Sequence, residues 1–125
     1  MIYLDTHVAL WLYEGLLDRF PDFAKQQLEE NDLIISPMVQ LELQYLFEIK
    51  RIKRESKIII KDLQQRIGLE ISDEPLEAIV EAALPLQWTR DPFDRLIVAT
   101  AKLNHNLLLT KDTNIALHYK HIIWD

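Results

Sequence analysis

Cysteine is absent from this 125-residue chain. Disulfides, thiolate metal sites and a cysteine nucleophile are therefore excluded. Glycine occurs only twice, so few backbone positions adopt positive φ at low cost. That scarcity argues against a glycine-rich nucleotide loop and against an all-β fold full of tight turns. No apolar run approaches the roughly 18–20 residues that a membrane span needs. The opening Met1-Ile2-Tyr3-Leu4-Asp5 has no basic leader and meets an acid at once, unlike a signal peptide. A soluble cytoplasmic protein with no membrane partner is the expectation. Positive charge is also short: 14 Lys and Arg face 20 Asp and Glu, a net charge of −6. Proteins that grip nucleic acid usually present a basic surface. Either nucleic acid is not the ligand, or acids are concentrated at a metal site whose cation reverses the local sign.

What is present fits a single domain over residues 1–125, with one hydrophobic core. Apolar strands are expected at Ile2–Leu4, Leu33–Ile35, Leu69–Ile71, Leu107–Leu109 and His121–Trp124. Helical segments alternate with them: Val8–Tyr13, Asp22–Glu30, a helix capped by Ser36-Pro37 and running to about Lys50, and Glu55–Ile67 ending at Gly68. Two more open at Asp73-Glu74-Pro75 and at Asp91-Pro92, and end near Pro85 and Asn104. Strands alternating with helices indicate an α/β domain with a mainly parallel sheet.

In such a sheet, ligands bind at the carboxyl ends of the strands. Four acids from separate segments fall at that edge. Asp5 follows the first strand, and Asp112 follows the fourth by three residues. Glu42 lies in the second turn of the helix after the second strand, and Asp94 in the first turn of the helix before the fourth. Glu42 borders the apolar side of its helix, with Met38, Val39, Tyr45 and Leu46 as neighbours. An unpaired carboxylate there costs several kcal/mol in desolvation, and a cation removes that cost. Asp94 opens the run Arg95-Leu96-Ile97-Val98-Ala99-Thr100-Ala101, apolar nearly all round and hence buried. Asp91 has an ordinary explanation as a helix cap before Pro92. On position alone, Asp5 serves equally as a turn or cap residue, and Asp112 as the start of a turn. Grouped carboxylates repel unless a cation neutralises them, and hard oxygen ligands select Mg²⁺ or Mn²⁺.

The same residues resemble the PIN-domain family, and within it the VapC-type toxins. The strongest match is Asp91-Pro92-Phe93-Asp94-Arg95-Leu96-Ile97-Val98-Ala99-Thr100-Ala101. Tyr3-Leu4-Asp5-Thr6-His7, the Leu41-Glu42 helix, Leu108-Leu109-Thr110-Lys111-Asp112 and Ile122-Ile123-Trp124 follow the family's order. The resemblance implies a PIN-like fold, a five-stranded parallel sheet flanked by helices. It also implies Mg²⁺- or Mn²⁺-dependent cleavage of RNA, with Asp5, Glu42, Asp94 and Asp112 as catalytic and metal-binding acids. Thr6 and Thr110 are supporting hydroxyls, and a cognate antitoxin and a homodimer are the implied protein partners. One departure is visible: relatives of this branch often carry a histidine before the Asp-Pro-Phe-Asp run, where this chain has Gln87-Trp88-Thr89-Arg90.

The remaining features are open to more than one reading. Lys50, Arg51, Lys53 and Arg54 form the only basic cluster, either a solvated helix junction or a guide for an RNA backbone. Arg95 serves either to contact a phosphate or to pair with Asp91. The histidines His7, His105, His118 and His121 lack metal-ligand spacing and are taken as structural or exposed. Trp11, Tyr13 and Phe20, with Leu10, Leu12, Leu16 and Leu17, are denser than one small core needs; core packing is the first reading, and an exposed part suits a partner helix or a homodimer face. Two rival functions are a receiver-type phosphoacceptor, with Asp73 after the third strand, and a catalytically inactive PIN-like binding module.

Overall fold

A computed structural model describes residues 1–125. Five strands form one sheet in the order β3-β2-β1-β4-β5: β1 (Ile2–Leu4), β2 (Leu33–Ile35), β3 (Glu70–Ile71), β4 (Leu107–Leu109) and β5 (Ile122–Ile123). Every pairing is parallel. A parallel sheet is covered on both faces by its crossover helices, so its strands read as unbroken apolar runs. Ile-Tyr-Leu, Leu-Ile-Ile and Leu-Leu-Leu are such runs. Ile2, Leu4, Ile35, Leu108 and Leu109 are fully buried, and each such side chain contributes roughly 1.5–3 kcal/mol. The edge strands β3 and β5 span only two residues each, which leaves little open edge for unwanted pairing.

Seven helices surround the sheet: α1 (Thr6–Glu14), α2 (Asp22–Glu30), α3 (Pro37–Glu48), α4 (Ser56–Ile67), α5 (Leu76–Ala83), α6 (Pro92–Lys102) and α7 (Thr113–His118). Both glycines serve as left-handed helix ends, Gly15 (φ 73°) after α1 and Gly68 (φ 67°) after α4. Any side chain there meets the Cβ penalty of that conformation. Ser36 caps α3 by accepting from the N–H of Met38, with Pro37 in the first turn. Thr100 Oγ1 bonds Ser36 Oγ at 3.1 Å in the buried interior, tying α6 to the β2–α3 junction. No helix is long and apolar enough to cross a membrane.

The α/β expectation holds, including the five strands and their parallel sense. Two local features depart from it. A 3-10 turn at Leu17–Arg19 follows α1, and α7 occupies a stretch expected to be a turn. With six residues, including Thr, Asn and Ile, α7 has little intrinsic helix propensity. It persists because Asp112 caps it and Ile115 is fully buried beneath it.

The strand order also disposes of the receiver alternative. In that architecture β3 lies beside β1. Here β2 stands between them and β3 is the sheet edge. Asp73 therefore sits two strands from Asp5, lining a different cavity with Tyr3 and Glu74.

Candidate active site

Because all strands are parallel, their carboxyl ends share one edge. β1 and β4 are neighbours, so Asp5 after one and Asp112 after the other stand side by side. Helix α3 leaves β2 on the other flank of β1, and α6 packs against α3. Glu42 and Asp94 are thereby brought to the same edge. The four acids, with Asp91, line one cavity of about 480 Å³.

The acids are held differently. Asp5 is almost fully buried and caps α1, accepting the N–H of Thr6 at 2.8 Å and the hydroxyl of Thr110 at 2.6 Å. Asp91 caps α6, taking N–H bonds from Phe93 (2.8 Å) and Asp94 (3.3 Å). Asp112 caps α7, taking those of Asn114 (2.8 Å) and Ile115 (3.1 Å). Three helix N-termini thus face the cavity, and their partial positive charge favours the anions there. Glu42 receives only the Thr6 hydroxyl, at 2.5 Å. Asp94, half-buried on the third residue of α6, receives no donor at its carboxylate.

Electrostatics follow this division. Burial pushes the Asp94 carboxyl up to about 7, reinforced by Asp5, Asp91, Glu42 and Asp112. Burial likewise raises Asp5, partly offset by Thr110 and the Thr6 N–H. Glu42 is raised by burial and by Asp5 and Asp91, with the Thr6 hydroxyl acting against them. The cavity therefore attracts protons or cations.

The two threonines each donate a hydroxyl to an acid, Thr6 to Glu42 and Thr110 to Asp5. Asp91 is the cap expected of it and also lines the cavity. The basic residues fare otherwise. Arg95 neither pairs with Asp91 nor faces the cavity: its guanidinium donates to the carbonyls of Ala83 (3.0 Å) and Leu84 (2.9 Å). The Leu84 carbonyl has no backbone donor, the Ala83 carbonyl also takes the N–H of Leu86 at 3.0 Å, and a planar fork of N–H donors reaches both at once. Lys50, Arg51, Lys53 and Arg54 lie in the exposed α3–α4 loop and do not line the acidic cavity; Glu42 is eight residues from Lys50, about 12 Å of helix rise. Trp88 is stacked on His118, with ring centroids 4.9 Å apart, and is also outside the cavity.

Five lining residues were not expected at the site from the sequence: His7, Val8, Trp11, Lys111 and Thr113. The available signal was the four-residue spacing of His7 and Trp11 just after Asp5, which places them on one helix face. Lys111 immediately precedes Asp112.

The donor set is all oxygen, which suits a hard cation such as Mg²⁺ or Mn²⁺ in kind. As they stand, no three Asp, Glu, His or Cys side chains are close enough to share one ion. That spacing is unlike a closed four-ligand cage. It fits an ion such as Mg²⁺, which keeps several waters and takes one or two carboxylates directly.

Comparison with known proteins agrees with this geometry. A family model described as PIN domain matches residues 2–120. The chain is 32% identical over 120 residues to Ribonuclease VapC22 of Mycobacterium tuberculosis, covering 94% of this chain and 91% of that protein. Among solved structures, VapBC2 from Rickettsia felis, bound to a promoter DNA fragment, superposes with a TM-score of 0.66 at 23% identity over the full length of both chains. A toxin–antitoxin complex from Klebsiella pneumoniae superposes with a TM-score of 0.67 at 21% identity, over 98% of this chain and 96% of that one.

Proposed function

This chain belongs to the PIN-domain family, and on that premise we propose that it is a VapC-type ribonuclease toxin that uses Mg²⁺ or Mn²⁺. The observation that carries the reading is the convergence of Asp5, Glu42, Asp94 and Asp112 on one cavity at the carboxyl edge of the sheet.

Asp94 and Glu42 supply the carboxylates with the least internal compensation, and so the most to gain from a cation. Asp5 is fixed in one rotamer by Thr6 and Thr110, and Asp112 by the first turn of α7. Both therefore present oxygens at set positions at no further entropic cost. When bound, the ion supplies Lewis-acid chemistry, activating water and offsetting charge at the scissile phosphodiester. The acids' repulsion for phosphate is lifted only in the ion's presence, which reconciles a net charge of −6 with an RNA substrate.

A cognate antitoxin is the proposed protein partner, supported by the toxin–antitoxin complexes that share this fold. A homodimer is proposed as well. Leu41 and Tyr45 on α3, with Ile49 at its C-terminal cap, form an exposed apolar stripe at four-residue spacing.

The test is cleavage of RNA by purified protein in Mg²⁺ or Mn²⁺, compared with Asp5→Ala and Asp94→Asn. Both variants are expected to lose more than about a hundredfold in rate, since weakening only the outer support of a metal site costs 10–100-fold. Cleavage at the unmodified rate by either variant, with contaminating nucleases excluded, rules the mechanism out.

A further inference from the structure

The carboxylates occupy only part of the cavity. His7 and Trp11 also line it from α1, their rings 6.2 Å apart. Trp11 is held from behind: Phe20 meets it edge-on at 6.0 Å and Trp124 lies at 6.2 Å. Gly15 makes this possible, because its left-handed turn folds Leu17–Arg19 back and returns Phe20 to the indole. The same turn brings the Arg19 guanidinium to 5.3 Å from the Trp11 ring centre, while the Lys111 ammonium lies at 5.9 Å.

Those two cations are unusual for their surroundings. Lys111 adjoins Asp112 in a cavity lined by five carboxylates, yet it makes no ion pair. Arg19 makes none either. The ion pairs of this molecule are Lys25–Asp22 and Arg66–Asp62. Over an aromatic face, a cation is positioned without being neutralised, so its charge stays available to an anion. An aromatic ring beside unneutralised cations is the arrangement by which single-stranded nucleic acid is held, the base on the ring and the backbone on the charge.

We propose that Trp11, with His7, Lys111 and Arg19, forms a subsite for an unpaired nucleotide flanking the scissile phosphate. The base packs against the aromatic wall, and its phosphate meets the two cations. Trp11 is six residues beyond Asp5, about 9 Å along the helix axis. A base seated there belongs to a neighbouring nucleotide, not to the phosphate at the acids. Bases in a duplex are stacked inward and out of reach, so this subsite admits only an unpaired base. This inference rests on the ribonuclease reading above.

The test measures binding of a fluorescein-labelled single-stranded RNA of mixed sequence, and of its duplex, by anisotropy at several salt concentrations in Mg²⁺. All variants keep the native acids so that the ion is retained, and the RNA is checked to be intact by gel after each reading. Trp11→Leu is expected to weaken single-strand binding by about tenfold and to leave the duplex unmoved. Trp11→Phe keeps a stacking face and is expected to retain most of the affinity. Lys111→Gln, at an exposed side chain that no fold contact depends on, is expected to weaken binding several-fold and to lower the salt slope by about one. Single-strand affinity and salt slope unchanged by both Trp11→Leu and Lys111→Gln overturn the subsite. So does an equal loss for the duplex in folded Trp11→Leu. If the protein with its native acids neither binds nor cleaves RNA, the ribonuclease reading falls and takes the subsite with it. Cleavage with variants that bind normally removes the subsite alone.

Discussion

Asp112 and Asp94 line the same cavity, but one is held as a helix cap and the other is not. Asp5, Asp91 and Asp112 accept backbone N–H groups and close the first turns of α1, α6 and α7. Glu42, in the second turn of α3, has one hydroxyl donor, and Asp94, in the first turn of α6 but not its cap, has none. A capping carboxylate contributes to the fold whether or not a metal is bound. An uncapped one among like charges costs stability until a cation or a proton neutralises it. Asp5 is the intermediate case: it is a cap, but deep burial still raises its carboxyl. The cavity thus combines acids that close helix ends with acids whose charge only a cation or a proton would offset.

The sharpest way to break this contrast is metal titration. Mn²⁺ at about a hundred times its dissociation constant should stabilise the native protein by about 2.7 kcal/mol, read as a rise in thermal midpoint. Asp94→Asn should lose most of that gain. No metal-induced shift in the native protein contradicts the site.

Next in size is the pH dependence of the metal-free protein. Asp94 has a folded pKa near 7 against an unfolded value near 3.8. The folded state therefore binds the proton more tightly, and stability falls as pH rises through that window. Metal-free Asp94→Asn should exceed the native protein by about 1–2 kcal/mol at pH 8, the full shift being reduced because water reaches the carboxyl. The gap should close towards pH 4. Denaturant unfolding at the two pH values measures it.

The capping acids should respond with the opposite sign. Asp112→Ala is expected to destabilise the metal-free protein by about 1 kcal/mol through loss of the α7 cap, a drop of about 3–6 °C for a chain of this size. A gain in stability would place Asp112 with Asp94. The smallest effect is expected outside the cavity, at Arg95→Ala. It should cost about 0.5–1 kcal/mol by leaving the Leu84 carbonyl to water and removing the second donor of Ala83, with RNA cleavage unchanged.

Much of the fold was legible because its signals are local. Ser36-Pro37 and Asp91-Pro92 announce helix starts by their own chemistry, and Gly68 announces an end. Helix α7 was hidden because its propensity is poor and the burial of Ile115 decides it. Arg95 was read as a phosphate or carboxylate partner because nothing nearby in the chain shows that α5 ends against it.

The sequence by itself determined the alternating strands and helices, and the placement of four acids after strands or on helices at one sheet edge. Side-chain period, capping chemistry and parallel topology are properties of short segments and of their order, so a linear reading reaches them. Only the tertiary structure decided how each acid is held and what else shares the cavity. Thr110 reaches Asp5 across 105 residues, and Thr6 reaches Glu42 across 36. Lys111 meets Trp11 through the pairing of β1 with β4. Such contacts depend on the register in which distant segments pack, and no local pattern in the chain encodes that register.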